Sequence, residues 1–360
     1  MPWSELFLGA DRKAQRDQTY FEQMMETRLE LAALVTGALF AGVFAYRFAG
    51  RHWRRRNWFL SAACLALAWP VLVKVFPDRL YFLYPAFPHG EFLFCTGFLF
   101  VGAYFRIYGG ESRKRILGGV LAVVLAYDVF AEPIHLALDG EEIRALHLRV
   151  DRGVTVQAAF FTCVPASLAT VLRTWGSDYS EGELAYGLRT AFQGTSVARL
   201  PYFVEHMPGE RRMQAKVVET NFDELAKFDL PAILVGKAGP LRHAVALVSL
   251  NADFVEIGDP LKGRLRVLRS ELDRSFQWEG QAVIVAPDFL HQIDPTDNSP
   301  HAAKLARSLA RLGYAASRRG VEEFQRRNGL AQTGLFDWRT ILVLDAISGG
   351  HRPSLVRAAG

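Results

Sequence analysis

Gln157-Ala158-Ala159-Phe160-Phe161-Thr162-Cys163-Val164-Pro165-Ala166-Ser167-Leu168-Ala169-Thr170-Val171-Leu172-Arg173-Thr174-Trp175-Gly176 reads as an apolar approach leading into a buried helix. Pro165 and its small neighbours suit a first helical turn, and Leu168, Val171, Leu172 and Trp175 recur at helical spacing. The helix should begin at or just after Cys163, and Gly176 should end it. A thiol is thereby placed at a helix N-terminus, where free N–H groups and the positive end of the macrodipole favour the thiolate. Gln157 lies upstream, where its carboxamide can fold back to donate to a developing oxyanion together with the Cys163 backbone N–H. Alone, a cysteine in an apolar run reads as a core thiol.

Other residues shift that balance. Leu241-Arg242-His243-Ala244-Val245-Ala246-Leu247-Val248-Ser249-Leu250 and Phe254-Val255-Glu256-Ile257-Gly258-Asp259 are two β-rich runs joined by a short Asn251-Ala252-Asp253 turn, a hairpin signature. Folding it about Asn251 and Ala252 sets His243 and Asp259 on the order of 5–8 Å apart. A carboxylate there fixes the imidazole tautomer, and the imidazole draws the proton from Cys163. The result is a nucleophile, a base and an orienting group for covalent acyl transfer.

The segment 154–288 resembles the papain-like double-glycine (C39-type) cysteine peptidases, which cut the leader peptides of bacteriocin-type substrates. The resemblance rests on Gln157 before Cys163, on Cys163 to Leu168, on Ser180-Glu181-Gly182-Glu183-Leu184-Ala185, on Gly194-Thr195-Ser196, on Leu230 to Ile233, on His243 and on Asp259-Pro260. It implies an α+β papain-like fold with Cys163 as nucleophile, His243 as base, Asp259 as its orienter and Gln157 as oxyanion donor. One position departs from the pattern: Val164 stands where relatives usually have glycine, and its branched side chain should stiffen the helix start.

Half of the 360 residues are hydrophobic and the mean hydropathy is +0.08, which predicts that part of the chain lies in lipid. Apolar runs at 29–48, 58–76, 80–105 and 116–138 predict a membrane α-helical bundle of about four spans, with Asp128, Glu132 and His135 near the end of the last. Arginines 51, 54, 55 and 56, and the basic residues 106 and 113–115, should face the cytoplasm. A multi-pass protein of a bacterial inner membrane follows, with the lipid bilayer as partner and everything after Leu138 outside. A net charge of +5, spread along the chain, implies no nucleic-acid partner. Of three cysteines, Cys64 and Cys95 fall in the apolar third, so no disulfide framework is implied. The chain has no Gly-x-x-x-x-Gly-Lys, His-Glu-x-x-His or Cys-x-x-Cys, so neither a fused ATPase nor a metal or other cofactor is indicated.

Residues 1–28 read as a tail, 139–153 as a linker and 289–302 as a breaker-rich boundary. A small three-helix domain should occupy 303–348, before a tail at 349–360. Leu312-Gly313-Tyr314, Phe324-Gln325-Arg326, Asn328-Gly329-Leu330, Thr333-Gly334 and Asp337 to Thr340 resemble the peptidoglycan-binding domain, which implies peptidoglycan as a partner. The connection from Tyr314 to Val321 is shorter than usual there. At about 45 residues such a bundle has a small core and should lean on its neighbour.

Together these features predict a membrane-anchored peptidase acting on a peptide or protein outside the membrane, with a separate exporter or secretion complex as a further partner. Two alternatives differ in class. One is a peptidase-fold scaffold tying a secretion or envelope complex to peptidoglycan; the other is a hydrolase of the wall peptide itself.

Overall fold

The computed structural model describes residues 36–47 and, with short interruptions, 97–355. By its internal contacts the chain divides into two units, 1–145 with 189–198, and 146–188 with 199–360.

In the first unit, residues 36–47 are helical, and α1 (Gly97–Tyr108) packs on α2 (Ser112–Arg144). Among the described residues no helix is long and apolar enough to cross a membrane. This overturns both the four-span membrane bundle and the multi-pass inner-membrane placement derived from it. The physical reason is visible in α2. Its uninterrupted apolar run, 116–127, spans roughly 18 Å at the helical rise, against about 30 Å of hydrocarbon. The helix then continues through Asp128, Glu132 and His135 to Arg144 instead of ending at the polar cluster. His135 Nδ1 meets Asp139 Oδ2 at 2.9 Å along the same helix. The run at 58–76, and the parts of the first and third runs at 29–35, 48 and 80–96, lie outside the described residues.

The second unit is built on a six-stranded antiparallel sheet in the order β3-β8-β4-β5-β6-β7. Its strands are β3 (Met213–Glu219), β4 (Ala232–Ala238), β5 (Leu241–Leu250), β6 (Phe254–Asp259), β7 (Gly263–Leu268) and β8 (Gln281–Pro287). A separate hairpin joins β1 (Arg149–Asp151) to β2 (Val154–Val156). Four short helices serve the sheet: α3 (Cys163–Thr174), α4 (Glu181–Gly187), α5 (Leu200–His206) and α6 (Phe222–Phe228), with α7 (Arg269–Phe276) following β7. The helix α3 starts at Cys163 and closes where Gly176 takes a left-handed φ of 80°, which glycine adopts without a Cβ clash. In α4, Ser180 and Glu183 form a reciprocal capping box, each side chain bonding the other's backbone N–H.

The β5–β6 hairpin departs from the simple fold about Asn251 and Ala252. Leu250 pairs with Val255, so 251–254 form the turn, and the Asn251 side chain accepts from the N–H groups of Asp253 and Phe254. A bulge between Leu247 and Ser249 then shifts the register toward the open end of the hairpin.

The last helices, α8 (Pro300–Arg311), α9 (Arg318–Arg327) and α10 (Trp338–Ser348), begin at Ser299, Ser317 and Asp337, whose side chains accept from backbone N–H groups in the first turns. Fully buried Gln325 ties the bundle together: its two amide N–H groups are shared among Thr333 Oγ1, Thr340 Oγ1 and the Leu335 carbonyl, each 2.9 Å away, and its oxygen accepts from Gly334 N–H. This bundle has no core of its own. Phe324, Phe336 and Leu344 belong to one cluster with Leu225, Phe228 and Ile284 of the sheet layer. Phe228 meets Trp338 with ring centroids 5.5 Å apart, and Arg339 reaches Glu224 at 2.5 Å.

Candidate active site

The half-buried thiol of Cys163 opens α3, which lies across β5 and touches β2, β4 and β6. A polar stripe at helical spacing on α3, Cys163, Ser167 and Thr170, fixes how it docks. The Ser167 hydroxyl donates to the Ala244 carbonyl at 3.1 Å, one residue from His243. Thr170 Oγ1 accepts from Thr155 N–H at 2.9 Å, just upstream of Gln157. Gly258, one residue before Asp259, lets the helix layer approach: a Cβ there would lie 2.9 Å from Val154 and 3.4 Å from Thr170.

His243 sits near the start of β5, opposite Gly236 of β4, and is 7% exposed. A Cβ at Gly236 would lie 2.5 Å from the Phe276 carbonyl oxygen, so this glycine admits the end of α7. Phe276 stands edge-on to the imidazole with centroids 6.2 Å apart. His243 Nε2 meets Asp259 Oδ1 at 2.9 Å, which leaves Nδ1 for the thiol. Burial pushes the imidazole pKa down. The hydrogen bond with Asp259, hydrogen bonding and charge coupling with Cys163, and the Asp259 charge outweigh it and raise the pKa from 6.5 to about 9.

Asp259 ends β6 and is 6% exposed. Burial pushes its carboxyl up, but the bond from His243, the Leu261 N–H at 2.9 Å and the charges of His243 and Lys262 hold it below its ordinary value. The anionic carboxylate thus faces the imidazole, which in turn faces the Cys163 sulfur. Such a chain can keep the sulfur nucleophilic and then return a proton to a leaving amine.

Gln157 follows β2. Its backbone N–H donates to the Pro260 carbonyl at 2.9 Å, anchoring it beside Asp259. Its side-chain Nε2 donates to the Ala159 carbonyl at 2.7 Å. Its Oε1 is buried with no partner among the described residues. Val164 is 5% exposed and contributes to packing.

Glu181 escaped the sequence reading, which saw only a helix start there. Its side chain is fully buried; it accepts from Ala158 N–H at 2.9 Å and from the Thr162 hydroxyl, and so grips the loop between Gln157 and Cys163. Burial raises its pKa against the hydrogen bonds from Thr162, Ala158 and Ala159. Ser167 and Thr170 were also missed, although two hydroxyls on the Cys163 face of an apolar helix were a signal in the sequence.

The Peptidase C39 family profile matches residues 152–289, a span containing Gln157, Cys163, Glu181, His243 and Asp259. An uncharacterized protein of Methanothermobacter thermautotrophicus is 29% identical over 126 residues, covering 35% of this chain and 84% of that protein. The probable functional amyloid protease FapD of Pseudomonas aeruginosa is 25% identical over 179 residues, covering 45% of this chain and 76% of FapD. Among solved structures, the peptidase domain of Streptococcus ComA, a bi-functional ABC transporter involved in a quorum-sensing pathway, aligns with a TM-score of 0.33 and 24% identity. That alignment covers 37% of this chain and 96% of the ComA domain. Residues 152–289 thus form a Peptidase C39 domain, and the chain is similar to FapD.

Proposed function

We propose that this protein is a cysteine peptidase in which Cys163 attacks a peptide carbonyl. His243 holds the thiol proton, and the tetrahedral oxyanion accepts from Cys163 N–H and from the Gln157 N–H not bonded to Ala159. Collapse expels the amine, which takes its proton from His243, and leaves a thioester on Cys163. Water, deprotonated by His243, then hydrolyses the thioester, while Asp259 keeps the ring oriented throughout. The observation that carries this reading is the chain of contacts from Asp259 through His243 to Cys163, with the imidazole pKa raised to about 9.

The substrate in this reading is a peptide cut after Gly-Gly, by likeness to the double-glycine peptidases, and a separate exporter is its natural companion. Full-length protein should label with iodoacetamide at Cys163 far faster than at Cys64 or Cys95, and His243→Ala should abolish that selectivity. A fluorogenic Gly-Gly peptide should be cleaved by wild type and not by Cys163→Ser. Slow labelling indifferent to His243→Ala would sink the reading and leave a peptidase-fold scaffold.

Peptidoglycan is the second ligand in this reading, by the resemblance of the motifs between Leu312 and Thr340 to the peptidoglycan-binding domain; the buried Gln325 network only holds that bundle together. Co-sedimentation with purified sacculi tests this; a chain that stays in the supernatant would refute it.

A further inference from the structure

Glu181 is a fully buried carboxylate that the peptidase mechanism does not use, and it has no cationic partner among the described residues. Burying an unpaired anion is costly, and the cost is tolerated where several donors converge on it. Here the donors all come from one loop. Ala158 N–H bonds both carboxylate oxygens at 2.9 Å, and the Thr162 hydroxyl bonds Oε1. Thr162 is the N-cap of α3, yet its side chain makes no capping bond to the helix. Its single O–H is instead shared between Glu181 Oε1 and the Ala159 carbonyl, 2.8 Å from the latter. That same carbonyl accepts the Gln157 amide at 2.7 Å. A continuous path therefore runs from Glu181 through Thr162 and Ala159 to the Gln157 carboxamide, and through Thr162 to the backbone N–H of Cys163.

We propose that Glu181 is a positioning residue that sets the two oxyanion donors, the Gln157 amide and the Cys163 N–H, without touching substrate. The inference rests on the peptidase reading above. It assigns Glu181 to one half of the chemistry, stabilising the oxyanion, and not to the other half, activating the thiol, which Asp259 and His243 perform. Holding donors rigid before charge develops is where such a residue acts, because misplaced donors must reorganise during the reaction.

The two halves can be measured separately. Iodoacetamide reacts with the thiolate by displacing iodide and creates no oxyanion. The aldehyde acetyl-Gly-glycinal adds the Cys163 sulfur to its carbonyl carbon; the C=O π pair moves to oxygen, which takes up the thiol proton and sits where the oxyanion would. In Glu181→Leu and Thr162→Val, aldehyde affinity and kcat for a Gly-Gly peptide should each fall at least about 10-fold. The rate and pH profile of Cys163 alkylation should stay within about 2-fold of wild type, since the thiol–imidazole pair is untouched. Glu181→Gln, which keeps one acceptor, should fall between wild type and Glu181→Leu. Aldehyde affinity unchanged in Thr162→Val and Glu181→Gln would overturn the positioning role, as would a parallel loss of alkylation. Thr162→Val keeps the shape of the side chain and so serves even where Glu181→Leu fails to fold. Wild type that neither alkylates selectively nor binds the aldehyde would bring down the peptidase reading itself, and this inference with it.

Discussion

The Ser167 hydroxyl, one helical turn beyond Cys163, donates to the carbonyl of Ala244, the residue after His243. One buried hydrogen bond thus locks the helix that carries the thiol to the strand that carries the imidazole, across 77 positions of chain. Ser167→Ala should lower the stability of the unit by about 1 kcal/mol, read as a shift of the urea midpoint, and should slow selective alkylation of Cys163. A variant with unaltered thiol reactivity would show that the helix is held by apolar packing alone.

Raised from 6.5 to about 9, the His243 pKa makes a signed pH prediction. The folded state holds the imidazolium more tightly than the unfolded chain does. Its stabilising contribution is therefore complete below pH 6.5 and disappears as pH rises through about 9. Alkylation by the thiolate–imidazolium pair and peptide hydrolysis should both change over an alkaline limb near that value. In Asp259→Ala the main groups raising the pKa are reduced while burial still lowers it, so the limb should move to lower pH. A limb that stays put would mean that Asp259 does not govern the imidazole.

Glu181 titrates with the opposite consequence. Its carboxyl is raised by burial, so folding favours the protonated form, and its contribution to stability declines as pH rises above the ordinary glutamate range. Protonation at low pH also costs the loop an acceptor. The acid limb of peptide hydrolysis should consequently move in Glu181→Gln while the alkaline limb does not.

Gly236→Ala should destabilise the unit by about 1–3 kcal/mol, because the new Cβ would lie 2.5 Å from the Phe276 carbonyl oxygen and 2.9 Å from its ring. Displacing Phe276 removes the edge contact on His243, so the expected readouts are a lower melting temperature and slower alkylation. Wild-type values for both would show that the end of α7 moves freely.

Removal of residues 289–360 should unfold the sheet layer rather than liberate an independent domain, since Leu225 and Phe228 lose the Phe324, Phe336 and Leu344 side chains that share their core. Full-length protein should show a single urea transition for the 146–360 unit by tryptophan fluorescence. A soluble truncated chain with wild-type thiol reactivity would refute the shared core.

Much of the local order was legible in residues 157–259. The apolar recurrence after Cys163, the stop at Gly176, the helix start at Ser180 and the β-rich runs of β5 and β6 depend on contacts a few positions apart, and the sequence states them directly. The membrane bundle was misread for the same reason in reverse. Composition registers how apolar a run is, but not that one helix carries Asp128, Glu132 and the His135–Asp139 pair onward to Arg144.

Local spacing, then, was enough to start a helix at Cys163 and to bring His243 and Asp259 onto neighbouring strands, because helix and hairpin periods are properties of adjacent residues. Only the tertiary structure decided that Ser167 joins Ala244, that Glu181 closes on Thr162, that a bulge resets the hairpin register, and that the last three helices share the core of the sheet. Each of these depends on packing between segments distant in the chain or on a single extra residue in a strand, and no local period records either.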